Sequence, residues 1–262
     1  MKFVTCVKQV PDVQEINVDE ERGTIIREGV PSILNPFDEF ALNLAVEVKD
    51  RVKADVELIA LSMGPPQAEE ALKKCLAIGA DKAILLTDKV FAGADTWATS
   101  LTLARAIEKL NDVKMIFCGQ EAIDGSTGQV GPELANILSL PQVTYVEEIE
   151  DFDLKERTLI CRKEIDEGYV RVKSKIPALV TCLTPPDFEP RIPNVRDILK
   201  AKKKPLIRWG QEKIDEDPKN LGLTGSFSRV INMFSPTKKE AGEKITASPE
   251  EAVEKIVEYL KR

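Results

Sequence analysis

The order of apolar runs predicts an α/β protein on a parallel, doubly wound (Rossmann-like) sheet, with added antiparallel strands and an extended C-terminal arm ending in a helix. Three observations predict it. From residue 3 to residue 139, short and nearly continuous apolar runs alternate with helical patterns, as expected of parallel strands covered on both faces by crossover helices. Beyond Leu140-Pro141 the runs are β-rich and divided by turn signals. Beyond Pro205 periodic signals fade until Ser248-Pro249-Glu250-Glu251 opens a last helix, with serine at N-cap, proline at N1 and glutamate at N3. Residues 1–204 are therefore expected to form an α/β domain with an antiparallel section, and residues 205–262 an arm and helix.

Residues 3–7 read as a buried first strand rather than the start of a signal peptide. Residues 16–18 and 24–27, parted by Asp19-Glu20-Glu21-Arg22-Gly23, read as a hairpin. Asn35-Pro36 starts a helix with Phe40, Leu42, Leu44, Ala45 and Val48 on its buried face. A second strand over 56–62 is broken by Gly64-Pro65-Pro66, and a helix follows over 67–77, with Gly79 placed for a left-handed cap. Residues 82–86 form the third strand, Asp95 or Thr96 caps a helix over 96–110, residues 115–118 form the fourth strand, and 131–139 are helical. Runs at 143–149, 158–163, 169–173 and 178–182 make the antiparallel section. Pro185, Pro186, Pro190 and Pro193 exclude a long helix until about residue 194. In the last helix Ala252, Val253, Ile256, Val257 and Leu260 share one face. An irregular arm of this length cannot bury its own backbone, so it is expected to lie on another chain.

The net charge is −7 and acids and bases are interspersed, so no basic face points to nucleic acid. The run Lys200, Lys202, Lys203, Lys204 reads as a solvated helix end. No apolar stretch approaches the roughly 18 residues of a membrane span. Cys6, Cys75, Cys118, Cys161 and Cys182 form no CxxC motif, which points to free thiols in a reducing cytoplasm. There is no histidine, which excludes Ser-His-Asp and Cys-His catalysis and imidazole zinc sites. Chemistry run by a bound cofactor fits this composition better than chemistry run by side chains.

The strongest local feature is the stretch from Gly119 to Pro132, which follows a strand and leads into a helix. Gly125, Gly128 and Gly131 are spaced by three, Ser126 and Thr127 offer hydroxyls, and Asp124 offers an acceptor for a ribose or adenine donor. Glycines before a helix start let backbone N–H groups approach a phosphate or pyrophosphate. Composition alone leaves a phosphate cradle and a flexible turn equally open. The lysine of a Walker loop is missing, so ATP hydrolysis is unsupported. Asp95-Thr96-Trp97-Ala98-Thr99-Ser100 reads first as a helix cap, and Asn35-Pro36-Phe37-Asp38 alone is a good helix start.

Over nearly its whole length the chain resembles the β subunit of electron-transfer flavoproteins. The matching segments are Val7-Lys8-Gln9-Val10-Pro11-Asp12, Asn35-Pro36-Phe37-Asp38, Ser62-Met63-Gly64-Pro65, Ile78-Gly79-Ala80-Asp81-Lys82 and the Gly119 to Pro132 loop. Ile165-Asp166-Glu167-Gly168, Pro177-Ala178-Leu179-Val180-Thr181, Glu189-Pro190-Arg191 and Lys200-Ala201-Lys202-Lys203-Lys204 continue the match in order. Near Val170-Arg171 the chain lacks the acidic or amide residue usual in the family's signature.

The resemblance implies a heterodimer with an α subunit that holds an FAD, and a second nucleotide in the β chain, AMP in most familiar members. It places that nucleotide against Cys6, Asn35, Pro36, Phe37, Asp38, Met63, Gly64 and the stretch from Asp124 through Gly125, Ser126, Thr127, Gly128, Gln129, Val130, Gly131 and Pro132 to Ile137. It places Val13 against the α-chain flavin, and Arg191 and Val195 in a loop that docks on partner dehydrogenases. One subset holds FAD in the β chain and bifurcates electrons from NADH, one to ferredoxin or flavodoxin and one through the α flavin to a dehydrogenase. The Gly125 to Pro132 sequence, with Thr96 and Thr99, resembles that subset. The alternative is a non-bifurcating carrier that holds AMP and accepts electrons from acyl-CoA dehydrogenases. A nucleotide-binding ligase or stress-type protein on a related fold would need a histidine-bearing or Ser-Gly-Gly loop, and neither is present.

Overall fold

A nine-stranded sheet organises the chain, in a computed structural model that describes residues 1–12, 17–19, 24–26, 31–231 and 246–261. The first strand, β1 (Lys2–Cys6), is followed by short antiparallel pieces: β2 (Gln9–Pro11) pairs with β5 (Ser32–Leu34), and β3 (Asn17–Asp19) with β4 (Thr24–Ile26). Then come α1 (Pro36–Arg51), β6 (Glu57–Met63), α2 (Glu69–Ile78), β7 (Lys82–Leu86), α3 (Thr96–Glu108), β8 (Val113–Gly119) and α4 (Val130–Ile137). The second half holds β9 (Gln142–Asp153), β10 (Thr158–Ile165), β11 (Gly168–Lys175), β12 (Ala178–Cys182), α5 (Val195–Ala201), β13 (Leu206–Trp209), α6 (Gln211–Ile214), α7 (Gly222–Gly225) and α8 (Pro249–Leu260).

The strand order is β11-β10-β9-β12-β8-β1-β6-β7-β13. Because successive strand residues face opposite sides, Phe3 and Val7 of the first run pack under α1 and α2, while Val4 and Cys6 pack under α3 and α4. The central strands are buried on both faces, which is why their sequences are nearly continuous apolar runs.

Three expectations are corrected. Residues 178–182 are not part of an antiparallel section: β12 lies between β8 and β9 and runs parallel to both, and the antiparallel pairs of this sheet are β9 with β10 and β10 with β11. The segment is fully buried, and an apolar run of that kind does not reveal its direction. Gly79 does not adopt a left-handed cap; its φ is 161°, and a Cβ there would come within 2.6 Å of Val46 Cγ2, so close helix packing explains the glycine. The stretch after Pro205 is not bare arm. Its first part adds β13 to the sheet edge beside β7, and Ile214 and Leu221 enter the core under α3. The last helix carries the expected Ser248–Glu251 capping box, and its face of Val253, Ile256, Val257 and Leu260 is exposed.

Candidate functional site

From β1 the chain moves one way, to β6 and β7, and then crosses back to β8 on the other side of β1. Loops leaving the carboxyl ends of β1 and β8 therefore part from each other, and in open α/β sheets this is where ligands bind. Four elements meet at the crevice: the end of β1 with Lys8, the start of α1, the turn after β6, and the loop from Gln120 to Gln129 that enters α4. The start of α3 lies beside α4.

The start of α1 braces the crevice. Asn35 occupies the N-cap position but makes no side-chain cap. Its carboxamide donates to the Glu121 carbonyl (2.8 Å) and accepts from the Ile123 N–H (3.2 Å), which pins the base of the glycine loop. Asp38 accepts from the Lys8 N–H (2.8 Å) with one oxygen and from the Gly119 N–H (3.1 Å) with the other, joining the ends of β1 and β8. Gly119 is required at that joint, since a Cβ would lie 2.3 Å from Asp38 Oδ1 and 2.8 Å from the backbone of Phe37 and Asp38. Burial pushes the Asp38 carboxyl up to about 7, against the lowering effect of the Lys8, Asn35 and Gly119 hydrogen bonds. Asn35 and Asp38 thus spend their side chains on the protein, while Pro36 is exposed and Phe37 half-buried.

The loop itself is open. Asp124, Gly125, Ser126 and Thr127 are exposed, and a Cβ on Gly125 would meet nothing within 4 Å. Ser126 and Gly128 have φ of 46° and 62°, a left-handed backbone that costs serine energy and glycine none. Lys8 Nζ bridges the loop to the end of β1 through Asp124 Oδ1 (2.7 Å). Gly131 serves packing: a Cβ there would lie 2.4 Å from Thr181 Cγ2. Gln129 provides no side-chain cap for α4, and Pro132 has no N–H to satisfy in the first turn. On the α3 side, Thr96 donates to Gln129 Oε1 and Glu133 Oε1 (both 3.1 Å), and Ser100 bonds the Val130 carbonyl (3.2 Å) and Glu133 Oε2 (3.1 Å).

A family model described as "Electron transfer flavoprotein domain" matches residues 22–213. The chain belongs to the electron transfer flavoprotein family. It is 47% identical over 262 residues to "Electron transfer flavoprotein subunit beta" of Clostridium acetobutylicum, covering 100% of this chain and 98% of the relative. It is 44% identical over 248 residues to "Caffeyl-CoA reductase-Etf complex subunit CarD" of Acetobacterium woodii (95% and 93% covered). It is 36% identical over 267 residues to "Acryloyl-CoA reductase electron transfer subunit gamma" of Anaerotignum propionicum (99% and 98% covered). These likenesses place it among the β subunits of the electron transfer flavoproteins.

In this electron transfer flavoprotein chain the predicted residues divide into three groups. Cys6, Asn35, Pro36, Phe37, Asp38, Met63, Gly64, Asp124 and the loop residues through Pro132 lie at or just beyond the carboxyl edge of the sheet. Thr96 joins them through Gln129 and Glu133. Arg191 lies elsewhere, donating its N–H to Asn43 (3.1 Å) beside the later turns of α1, and Val195 opens α5 with 74% of its surface exposed. Val13 lies outside the described residues. Lys8, Ser100 and Glu133 fall within stretches the sequence singles out, but it gives none of them the partner the fold provides, Asp124 for Lys8 and the α3–α4 bonds for Ser100 and Glu133; their signal is polar character near a strand end or helix start, which ordinary turns share.

All five cysteines are buried and free. The Cys6 thiol beside Cys118, together with burial, holds Cys118 well above the usual thiol range. Burial does the same to Cys161, pushed up to about 12. Such thiols are poor nucleophiles. Among the described residues no cluster of cysteine and carboxylate side chains could hold a metal ion, and no helix is long and apolar enough to cross a membrane.

Proposed function

We propose that this chain is the β subunit of a heterodimeric, bifurcating electron-transfer flavoprotein of the cytoplasm, with FAD in the switch-point crevice and NADH as electron donor. One electron would go to ferredoxin or flavodoxin, the other through the FAD of the α subunit to a partner dehydrogenase. The observation that carries this reading is the open loop from Asp124 to Thr127 at the topological switch point, with free space at Gly125 and hydroxyls of α3 across from it.

The residues suit a dinucleotide. Backbone N–H groups of the loop and the start of α4 would meet the pyrophosphate, Ser126 and Thr127 would add hydroxyl donors, and Lys8 supplies a cation at the rim. Asn35 and Asp38 would hold this cradle in shape from below. When bound, FAD supplies the hydride and electron chemistry, which agrees with a chain that has no histidine and only inert thiols.

One observation favours the smaller ligand. The Lys8–Asp124 ion pair ties the glycine loop to the chain just past β1, and a loop held there suits AMP in a non-bifurcating carrier served by acyl-CoA dehydrogenases. Acid extraction of the purified complex separates the two readings. Two FAD per heterodimer, with flavin bleaching by NADH, is expected. One FAD plus one AMP, with no response to NADH, would establish the carrier instead.

A further inference from the structure

The start of α3 carries more bonds than a helix cap requires. Asp95 Oδ1 accepts from the Ala98 N–H (3.0 Å), which is the ordinary cap. Its Oδ2 accepts three further hydrogen bonds, all from the root of the C-terminal arm: the Phe227 N–H (2.8 Å), the Ser228 N–H (2.9 Å) and the Ser228 hydroxyl (3.1 Å). The Asp95 N–H donates to Ser226 Oγ (2.8 Å), and the Ser226 hydroxyl donates to the Gly222 carbonyl (2.7 Å). Next to this cluster the Phe227 and Trp97 rings lie 5.7 Å apart, centroid to centroid.

The arm root sits on a firm base. Gly222 has a φ of 53°, and a Cβ there would lie 2.0 Å from the Val90 carbonyl oxygen, so α7 is pressed onto the turn before α3. Just past the cluster Val230 and Ile231 are 80% and 98% exposed. On its other side the first turn of α3 reaches the glycine loop through Thr96, bonded to Gln129 and Glu133. A continuous set of contacts therefore runs from the arm through Asp95 and Thr96 to the exit of the loop.

We propose that Asp95 is a positioning residue that fastens the arm to the nucleotide site, so that a seated arm and a bound nucleotide strengthen each other. This coupling presupposes the nucleotide site proposed above. By linkage, nucleotide must favour the seated arm by the same factor that the seated arm favours nucleotide. A plain cap predicts neither effect.

The test uses the full chain in its purified complex, stripped and titrated with AMP and with FAD, with amide exchange read at residues 226–228. Asp95→Ser keeps a good N-cap but removes the oxygen that holds the arm. A second variant, Phe227→Ala with Ser228→Ala, loosens the arm by removing the ring contact with Trp97 and the Ser228 hydroxyl bond, without replacing any residue of α3. In wild type, nucleotide is expected to slow exchange at Phe227 and Ser228. In both variants the dissociation constant should rise about fivefold or more, at the low end of measured couplings, and the exchange response should vanish. Wild-type affinity in either variant would overturn the coupling while leaving the nucleotide site in place. A wild-type complex that binds neither AMP nor FAD would overturn both.

Discussion

The starts of α1 and α3 are built alike and behave in opposite ways. Each carries an aspartate that accepts backbone N–H groups from distant parts of the chain: Asp38 from Lys8 and Gly119, Asp95 from Phe227 and Ser228. Asp38 is 7% exposed, and the loss of hydration outweighs its hydrogen bonds, pushing its carboxyl up to about 7. Asp95 sits nearer the surface; what burial it has opposes ionisation, but the donors from Ala98, Ser228 and Phe227 win and hold it below the usual carboxylate range. The sign of the shift follows the balance of the two effects: burial wins at Asp38, and the four hydrogen bonds together win at the less buried Asp95. The same contrast separates the two regions mechanically, since the α1 joint is locked within the core while the α3 joint grips an exposed segment.

The sharpest way to break this contrast is at Gly119. Replacement by alanine puts a methyl group into Asp38 and into backbone that cannot turn aside. We expect a loss of about 3 kcal/mol or more, read from urea unfolding, in line with severe overpacking. A loss under about 1 kcal/mol would show that the joint yields.

Stability against pH gives the next effect. Asp38 has a raised folded value, so its contribution is complete below the ordinary 3.8 and is lost as pH rises through about 7. Relative to Asp38→Asn, the wild type should lose stability over that window, with a slope of at most about 1.4 kcal/mol per pH unit. Asp95 has a lowered folded value, so its contribution is present above 3.8 and is lost as pH falls through the folded value. The advantage of wild type over Asp95→Ser should therefore shrink on acidification. Parallel slopes for the two variants would sink the comparison.

The smallest effect on folding is expected at Gly125, where an added Cβ meets no atom within 4 Å. Gly125→Ala should change stability by less than about 0.5 kcal/mol. If the glycine is there for a ligand, the nucleotide carried by the purified complex should nevertheless fall. Full nucleotide content would mark Gly125 as a turn residue and no more.

Much of this was legible in the residues. Alternating apolar runs located the central strands and helices of the first half, and the glycine loop was placed after the fourth strand of the sheet. Ser248 and Glu251 announced the last helix and its capping box. These features depend on neighbours a few positions away, through helical and strand periodicity and through local hydrogen bonds, so a linear reading can find them. Tertiary structure alone decided the rest. It inserted β12 in parallel between β8 and β9, added β13 to the far edge, and turned Asn35 and Asp38 inward as a brace. It also brought Asp95 to Ser228 across 133 positions. Strand order and side-chain partnership across such distances follow from which buried surfaces and unpaired donors meet once the sheet has assembled, and no local pattern records that meeting.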